Sequence, residues 1–159
     1  MPGSGDRTVL NLLTSLASDR ISPGSGTAAA AAMAFAAACA GKALAVSRKH
    51  RPADVRTTAA EGRLNDIVRR SLERADADST CFEEFIHRKD PHTARALISA
   101  DEETQALARE LAVLLHEIEP VVHPIMAGDA LAARALLEAA NRIQLRIGAE
   151  NRRAAAQWL

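Results

Sequence analysis

The sequence predicts an all-α protein, an up-and-down helical bundle with an alanine-rich helix at its centre. The composition is 48% apolar but only 3% aromatic, so the core is expected to consist of Ala and Leu, which favour helices. No stretch alternates polar and apolar residues as a half-buried strand does. The length of 159 residues is that of one domain, and we therefore assign residues 1–159 to a single helical domain.

The first two helices are predicted from the turn that separates them. A short helix runs from about Thr8 to Ala17, where leucines recur at helical spacing. Ser18 to Gly26 is predicted to be a turn, because its Ser-Pro-Gly-Ser-Gly end combines a fixed φ with two glycines. A long alanine-rich helix follows from Thr27 to about Lys49 and is closed by the segment His50-Arg51-Pro52.

The alanine-rich helix is apolar nearly all round and so must be covered on every side. Alanine is weakly apolar and Lys42 interrupts the run, which favours a buried helix over a membrane span. A bundle of this size has few helices to provide that cover, so the sequence predicts a homodimer that shares this helix. The two faces of the helix consist of one stripe with Ala28, Ala31, Ala32, Phe35, Ala38, Cys39, Lys42 and Val46 and another with Ala29, Met33, Ala36, Ala37, Ala40 and Leu44.

A long third helix is predicted from about Asp54 to His87, with a possible bend near residues 75–79. The segment Lys89-Asp90-Pro91 ends it, and a brief helical turn follows over Thr93 to Ile98.

The next helix is predicted to begin at Ser99, which forms a capping box with Glu102, and to run to about Val122 with a kink at Pro120. The last helix begins after Gly128, with Asp129 as its N-cap, and runs nearly to Trp158, weakened in its middle by Gly148.

Composition excludes several function classes. Twenty basic residues balance twenty acidic ones, so the whole chain offers no electrostatic basis for binding nucleic acid or an anionic membrane. The N-terminus lacks the pattern of a secretory signal, which predicts a cytoplasmic protein in which Cys39 and Cys81 are buried thiols. The five histidines show no recognised ligand spacing, so no metal site is predicted.

The glycine-rich turn is the first candidate site. A turn of this kind that leads into a helix points free N–H groups and a partial positive charge at a carboxylate or phosphate. Simple capping of the helix by Ser25 or Thr27 is the alternative. The segment is not a Walker motif, because no Gly-Lys-Ser/Thr follows.

Three segments resemble the cyclodeaminase/cyclohydrolase family, which includes the C-terminal half of formiminotransferase-cyclodeaminase and bacterial methenyltetrahydrofolate cyclohydrolases. The run Pro23 to Ala30 is similar to the proline, triple-glycine, serine motif that opens the family's long helix. Asp78-Ser79-Thr80-Cys81-Phe82 resembles the family's Asp followed by small or polar residues and then Phe. Asp129, the Ala/Leu-rich run 136–140 and Asn151 are similar to its closing pattern.

The resemblance implies chemistry on tetrahydrofolate one-carbon units. Members of the family expel ammonia from the formimino form or hydrolyse the methenyl ring, and both reactions centre on a cationic amidinium carbon. The folate derivative is the substrate, and no tightly bound cofactor is implied. Such a site needs a carboxylate to move protons and donors for the glutamate tail.

The residues carried over from the family fall into two groups. Asp78 is the first candidate for the general acid or base, with an ordinary solvated acid beside Arg70 or Arg74 as the alternative. Asp129 is a second candidate, as a polar contact to the substrate. The substrate-binding candidates are Pro23, Gly24, Ser25, Gly26, Thr27, Lys49 and Asn151. Lys49 is included for its charge, which would attract the anionic tail, and a solvated cap at the helix C-terminus is its alternative.

The chain departs from the family pattern at identifiable positions. Ser25 replaces the middle glycine of the turn, and Ile147 stands where the first of two late asparagines is expected. Residues 123–128 replace an Asn-rich stretch, and the segment after Phe82 is short. Two alternatives therefore stay open: a non-catalytic interaction or regulatory relative, and an enzyme of this fold that acts on another cyclic amidine or imine.

Overall fold

The computed structural model describes residues 9–50 and 55–159, which form five α-helices and three short 3₁₀ turns without a strand in those ranges. The predicted all-α class is confirmed. The predicted positions Thr8, Arg51, Pro52 and Asp54 lie outside the described residues. The helices are α1 (Val9–Leu16), α2 (Ser25–Arg48), α3 (Val55–Arg88), α4 (Pro91–Ile118) and α5 (Ala127–Ala155), and the 3₁₀ turns are Glu119–Val121, Pro124–Met126 and Ala156–Trp158.

Helix α2 lies between α3 and α5, and α4 completes the bundle by packing on those same two helices. The stripe of α2 that faces the core, here called the inner stripe, consists of Ala29, Met33, Ala36, Ala37, Ala40 and Leu44. Its alanines allow the neighbouring helices to approach closely, because the distance between helix axes depends on the side chains at the contact. Larger side chains from all the long helices fill the remaining core. The fully buried apolar set includes Met33, Leu44, Leu64, Ile67, Leu111 and Leu114.

The stripe of α2 with Ala28, Ala31, Ala32, Phe35, Ala38, Cys39, Lys42 and Val46, here called the outer stripe, is only partly covered by this chain. Phe35, in the middle of this stripe, is 48% exposed, and Ala38 and Lys42 are exposed on the same face. By length and composition α2 could cross a membrane, but 56% of its apolar window is buried by the other helices, as in the core helix of a bundle. Cys39 and Cys81 are free and half-buried rather than fully buried as predicted.

Helix α4 begins eight residues earlier than predicted. Asp90 caps it by accepting a hydrogen bond from the Thr93 backbone N–H at 2.8 Å, while the Thr93 hydroxyl accepts one from the Asp90 N–H at 3.3 Å. Pro91 occupies the first helical position, where no N–H is needed. Ser99 therefore lies inside the helix, and the predicted capping box with Glu102 is wrong. The helix ends at Ile118, and Pro120 falls in the following 3₁₀ turn instead of kinking the helix.

Helix α5 also begins earlier than predicted, at Ala127, because the 3₁₀ turn before it leads directly into the helix. Asp129 thus lies in the first turn and is not the N-cap, which is Met126. Gly148 has a packing role: a Cβ there would lie 2.7 Å from Nε2 of Gln105 on α4. The glycine leaves room for the end of the Gln105 side chain between α4 and α5.

Candidate active site

A polar pocket lies where the N-terminus of α2 meets the C-terminal third of α3 and the C-terminal half of α5. Its polar wall combines backbone from the glycine-rich turn with side chains from the two helices. Phe82 and Ile147 contribute apolar surface. The polar lining includes Ser22, Gly24, Ser25, Asp78, Glu150 and Asn151.

Helix α2 begins at Ser25 with Gly24 as its N-cap, and no side chain caps it. The predicted alternative, capping by Ser25 or Thr27, is therefore wrong. Thr27 is 1% exposed, and its hydroxyl lies within hydrogen-bond distance of three oxygens on α3: Asp78 Oδ2 at 3.2 Å, Ser79 Oγ at 2.9 Å and the Ala75 carbonyl at 3.3 Å.

Gly26 is required by the close approach of α2 to Asp78. A Cβ built at this glycine would lie 2.0 Å from Asp78 Oδ1 and 2.4 Å from its Cγ, well inside van der Waals contact. The carboxylate thus lies directly against the first turn of α2, whose N-terminus carries a partial positive charge. The anion predicted at the glycine-rich turn is, in this structure, a carboxylate of the chain itself.

Burial raises the pKa of Asp78 to about 6, and the negative charge of Asp101 adds to the rise. Hydrogen bonds from the hydroxyl and backbone N–H of Thr27 offset part of it. Among the described residues no arginine pairs with the carboxylate, since Arg70 bonds Asp66 and Glu110 and Arg74 bonds Glu103. The structure therefore disfavours the alternative of a solvated acid beside Arg70 or Arg74.

Helix α5 supplies two buried amides to the same region. The Gln144 Nε2 donates to the Gly26 carbonyl at 3.3 Å, and its Oε1 is buried without a hydrogen-bond partner. The Asn151 Nδ2 donates to Oδ2 of Asp101 on α4 at 3.0 Å. Asn151 thus reaches the predicted site, and Asp101 and Gln144 join it although sequence reasoning missed both.

A signal for these two residues was present in the sequence. Asp101 lies on the stripe of α4 that also holds Leu97, Ala108 and Leu111, and all of these are buried. Gln144 and Asn151 share a buried stripe of α5 in the same way. A polar residue at a core position of an amphipathic helix must find a partner, which marks it for attention.

Two predicted site residues lie far from the pocket. Lys49 is the exposed C-cap of α2, about 35 Å from Gly26 at 1.5 Å per residue. Asp129 pairs with Lys42 at 3.6 Å, and Lys42 is about 24 Å along α2 from Gly26. Within one chain, Lys49 and Asp129 therefore lie apart from the other predicted site residues. Pro23, Gly24, Ser25, Gly26 and Thr27 do lie at the N-terminus of α2 beside Asp78.

The histidines do not assemble into a metal-ligating group. The rings of His50 and His123 stack with centroids 4.6 Å apart at the opposite end of α2 from the pocket. Across residues 9–50 and 55–159, no three His, Cys, Asp or Glu side chains are grouped so as to hold a metal ion.

The fold and pocket define a class of protein: a helical bundle with a partly buried carboxylate at the N-terminus of its central helix. The sequence matches the formiminotransferase-cyclodeaminase family over residues 8–147, and the chain belongs to that family. No curated protein matches the sequence.

The fold is also similar to that of formiminotetrahydrofolate cyclodeaminase from Thermotoga maritima, with a TM-score of 0.87. The match covers 92% of this chain and 79% of that one at 16% identity, a level at which the likeness shows the fold alone.

Proposed function

We propose that the chain acts on the amidine carbon of a folate one-carbon unit, as a methenyltetrahydrofolate cyclohydrolase or a formiminotetrahydrofolate cyclodeaminase. The observation that carries the proposal is the partly buried Asp78 carboxylate, with a pKa of about 6, in a pocket beside the N-terminus of α2. A group with such a pKa accepts and returns protons near neutral pH. Membership of the family supplies the substrate class.

The composition of the pocket suits a cationic reacting centre. In the part of the chain that the structure describes, no basic side chain pairs with Asp78, and Glu150 at the rim adds a second carboxylate, itself paired with Arg146. The described residues that line the pocket include neither Lys nor Arg. Phe82 and Ile147 provide apolar surface for a flat heterocycle.

In the hydrolytic direction, water attacks the amidinium carbon and Asp78 accepts the proton that the water loses. A C–O bond forms, and the resulting tetrahedral adduct collapses as one C–N bond breaks. Asp78 returns its proton to the departing nitrogen while the hydroxyl of the adduct releases its proton to solvent, which leaves the formyl form and one net proton. This sequence uses one group first as base and then as acid, for which a pKa near 6 is suited.

In the deaminating direction, the second folate nitrogen attacks the formimino carbon and closes the ring. Asp78 accepts the proton that the attacking nitrogen loses and passes it to the exocyclic nitrogen, which leaves as ammonia as its bond to that carbon breaks. Neither route as written uses a metal or a tightly bound cofactor. The charge of the cyclic amidinium is offset by the ionised Asp78.

The test measures how fast the absorbance of 5,10-methenyltetrahydrofolate falls when the protein is added, compared with the rate of its spontaneous hydrolysis. Asp78→Asn should lower turnover at least a hundredfold, because the proton acceptor is removed. Glu83→Gln, an exposed acid on the same helix, is the matched control and should leave turnover unchanged. An Asp78→Asn protein as active as wild type would contradict the proposal.

Hydrolase and lyase are separated by a second assay that follows ammonia release from 5-formiminotetrahydrofolate. A folded wild-type protein that accelerates neither reaction would favour the alternatives, a non-catalytic relative or an enzyme for another cyclic amidine. A partner would then have to be sought for the bundle itself.

We also propose that the protein is a homodimer that buries the outer stripe of α2. Phe35 is exposed at the centre of a stripe otherwise made mainly of alanines, which permits two helices to approach closely. An antiparallel pairing centred on Phe35 would set Lys49 of the second copy level with the turn before α2. The basic end of each α2 would thereby lie near the acidic pocket of the other copy.

Light scattering at micromolar concentration tests the dimer. The wild-type protein should have twice the mass of one chain. The Phe35→Glu variant should have the mass of a single chain, because a dimer would bury its charge against apolar surface. Leu131→Glu, an exposed apolar residue on α5, is the control and should remain dimeric. A monomeric wild type would end this proposal.

A further inference from the structure

Asp101 lies on α4, behind the pocket rather than in its lining. Asp101 is 3% exposed, and its Oδ2 accepts a hydrogen bond from Asn151 Nδ2 at 3.0 Å. Asn151 is 7% exposed and lines the same pocket as Asp78. A buried carboxylate is therefore linked to the pocket through one amide.

That link fixes the direction of the amide. An ionised carboxylate has no donor, so it faces the NH₂ of Asn151 and leaves the amide oxygen Oδ1 as the remaining acceptor. An asparagine without such a partner would present either end with little difference in energy. The buried Asp101 thus determines which end of the Asn151 amide is left for the pocket.

We propose that Asp101 is a positioning residue of this site, which orients the Asn151 amide and places a second negative charge behind Asp78. The inference rests on the proposed function, since it assigns a role within the same pocket. An oriented Oδ1 accepts a hydrogen bond from an N–H of the substrate or from the attacking water.

The charges around the two carboxylates define the electrostatic part of the proposal. Asp101 is faced by Arg152 from α5 and has Glu102 beside it on α4, while Asp78 lies on α3. Burial raises the pKa of Asp101, and the bond from Asn151 and the charge of Arg152 oppose the rise. Around Asp78, the charge of Asp101 acts from α4, Glu150 of α5 lines the same pocket, Cys81 lies one turn further along α3, and α2 contributes the uncharged Thr27.

The first experiment follows the side-chain carboxylates by ¹³C NMR as the pH is changed, with the Asp78 signal assigned from Asp78→Asn. In Asp101→Asn the midpoint of Asp78 should move to lower pH, toward the ordinary value of 3.8, because a neighbouring negative charge is gone. The control is Glu102→Gln, which removes the same charge from an exposed neighbour on α4 and should leave that midpoint in place.

The second experiment compares activity with stability. Asp101→Asn should lower kcat about tenfold by freeing the Asn151 amide, and the acidic limb of the kcat profile should move with the Asp78 midpoint. The double variant Asp101→Asn with Asn151→Asp can reform the hydrogen bond in reverse. Its thermal midpoint should return toward wild type while kcat stays low, because a carboxylate now replaces the amide in the pocket.

The outcomes separate this inference from the proposed function. An Asp78 midpoint that Asp101→Asn leaves unmoved, or a double variant with full activity, would overturn the role of Asp101 in an enzyme that is otherwise active. A wild-type protein without folate activity would overturn the proposed function and the orienting role together. In that case the NMR titration still decides whether the two carboxylates interact.

Discussion

The two ends of α2 carry similar residue types in different surroundings. At the N-terminal end, Asp78 is pressed against Gly26, bonded by Thr27 and placed near the buried Asp101. At the C-terminal end, Lys42 and Asp129 form an ion pair whose side chains are 68% and 31% exposed. Surroundings rather than residue type therefore separate the candidate site from the rest of the surface.

The energetic difference between the two ends follows from solvent. An exposed ion pair contributes at most about 1 kcal/mol, because water screens it and both long side chains lose freedom. A partly buried carboxylate without a cationic partner instead opposes folding when it is ionised. A group that lowers stability in this way is a candidate for function, since packing alone gives no reason to keep it.

The strongest test of this contrast is to fill the space at Gly26. Gly26→Ala would push the Asp78 carboxylate aside, because its Cβ would lie 2.0 Å from Oδ1. Turnover should fall at least about a hundredfold through loss of the positioned base. The free energy of unfolding should fall by about 1–2 kcal/mol, since what moves is the end of one side chain and its bond to Thr27.

The control for this variant is Gly41→Ala on the same helix, where no atom lies within 4 Å of the added Cβ. It should raise the free energy of unfolding by up to about 1 kcal/mol through helix propensity and leave turnover unchanged. Urea unfolding and the absorbance assay measure both quantities. Full activity in Gly26→Ala would show that the close contact with Asp78 is not needed.

The pH dependence of stability gives the next largest effect. The pKa of Asp78 is 3.8 when unfolded and about 6 when folded, so the native state binds more protons between these values. Its contribution to stability is complete below pH 3.8 and is lost as the pH rises through 6. The expected loss is on the order of 2–3 kcal/mol at 1.36 kcal/mol per unit.

Asp78→Asn cannot ionise and should therefore be more stable than wild type at pH 7.5, with the difference shrinking toward pH 4.5. The pKa of Asp101 is also raised, so Asp101 changes the free energy of unfolding with pH in the same direction in both proteins. Its contribution therefore largely cancels when the two proteins are compared. Urea unfolding at several pH values measures the difference. Parallel curves for the two proteins would mean that Asp78 titrates normally.

Much of the helical architecture was predictable because Ala and Leu favour helices and Pro and Gly mark most of the breaks. The errors fell on helix starts. Ser99 with Glu102 and Asp129 both match capping patterns, but Asp90-Pro91 and the 3₁₀ turn at Pro124–Met126 begin the helices earlier. A capping pattern in the sequence does not show whether the helix has already begun before the residues that match the pattern.

The site was predictable only in part, and the reason is geometric. Family resemblance brought together Gly26, Thr27 and Asp78, which the structure places in contact. Asp101 was missed because its partner Asn151 lies 50 residues away in sequence, although its place on a buried stripe was visible. Lys49 was included because it is basic, and its distance from the pocket depends on the direction of α2.

The smallest expected effect is at the opposite end of α2. Asp129→Asn removes a partly exposed ion pair with Lys42, so the free energy of unfolding should change by less than about 1 kcal/mol. Turnover should stay at the wild-type value, with Lys42→Ala as the companion variant that breaks the same pair from its other side. A drop of about tenfold in both variants would contradict the expectation that this end of α2 is inactive. Because about 24 Å of helix separates this pair from Gly26 of its own chain, that result would mean that the end acts on the pocket of the other copy in the proposed antiparallel dimer.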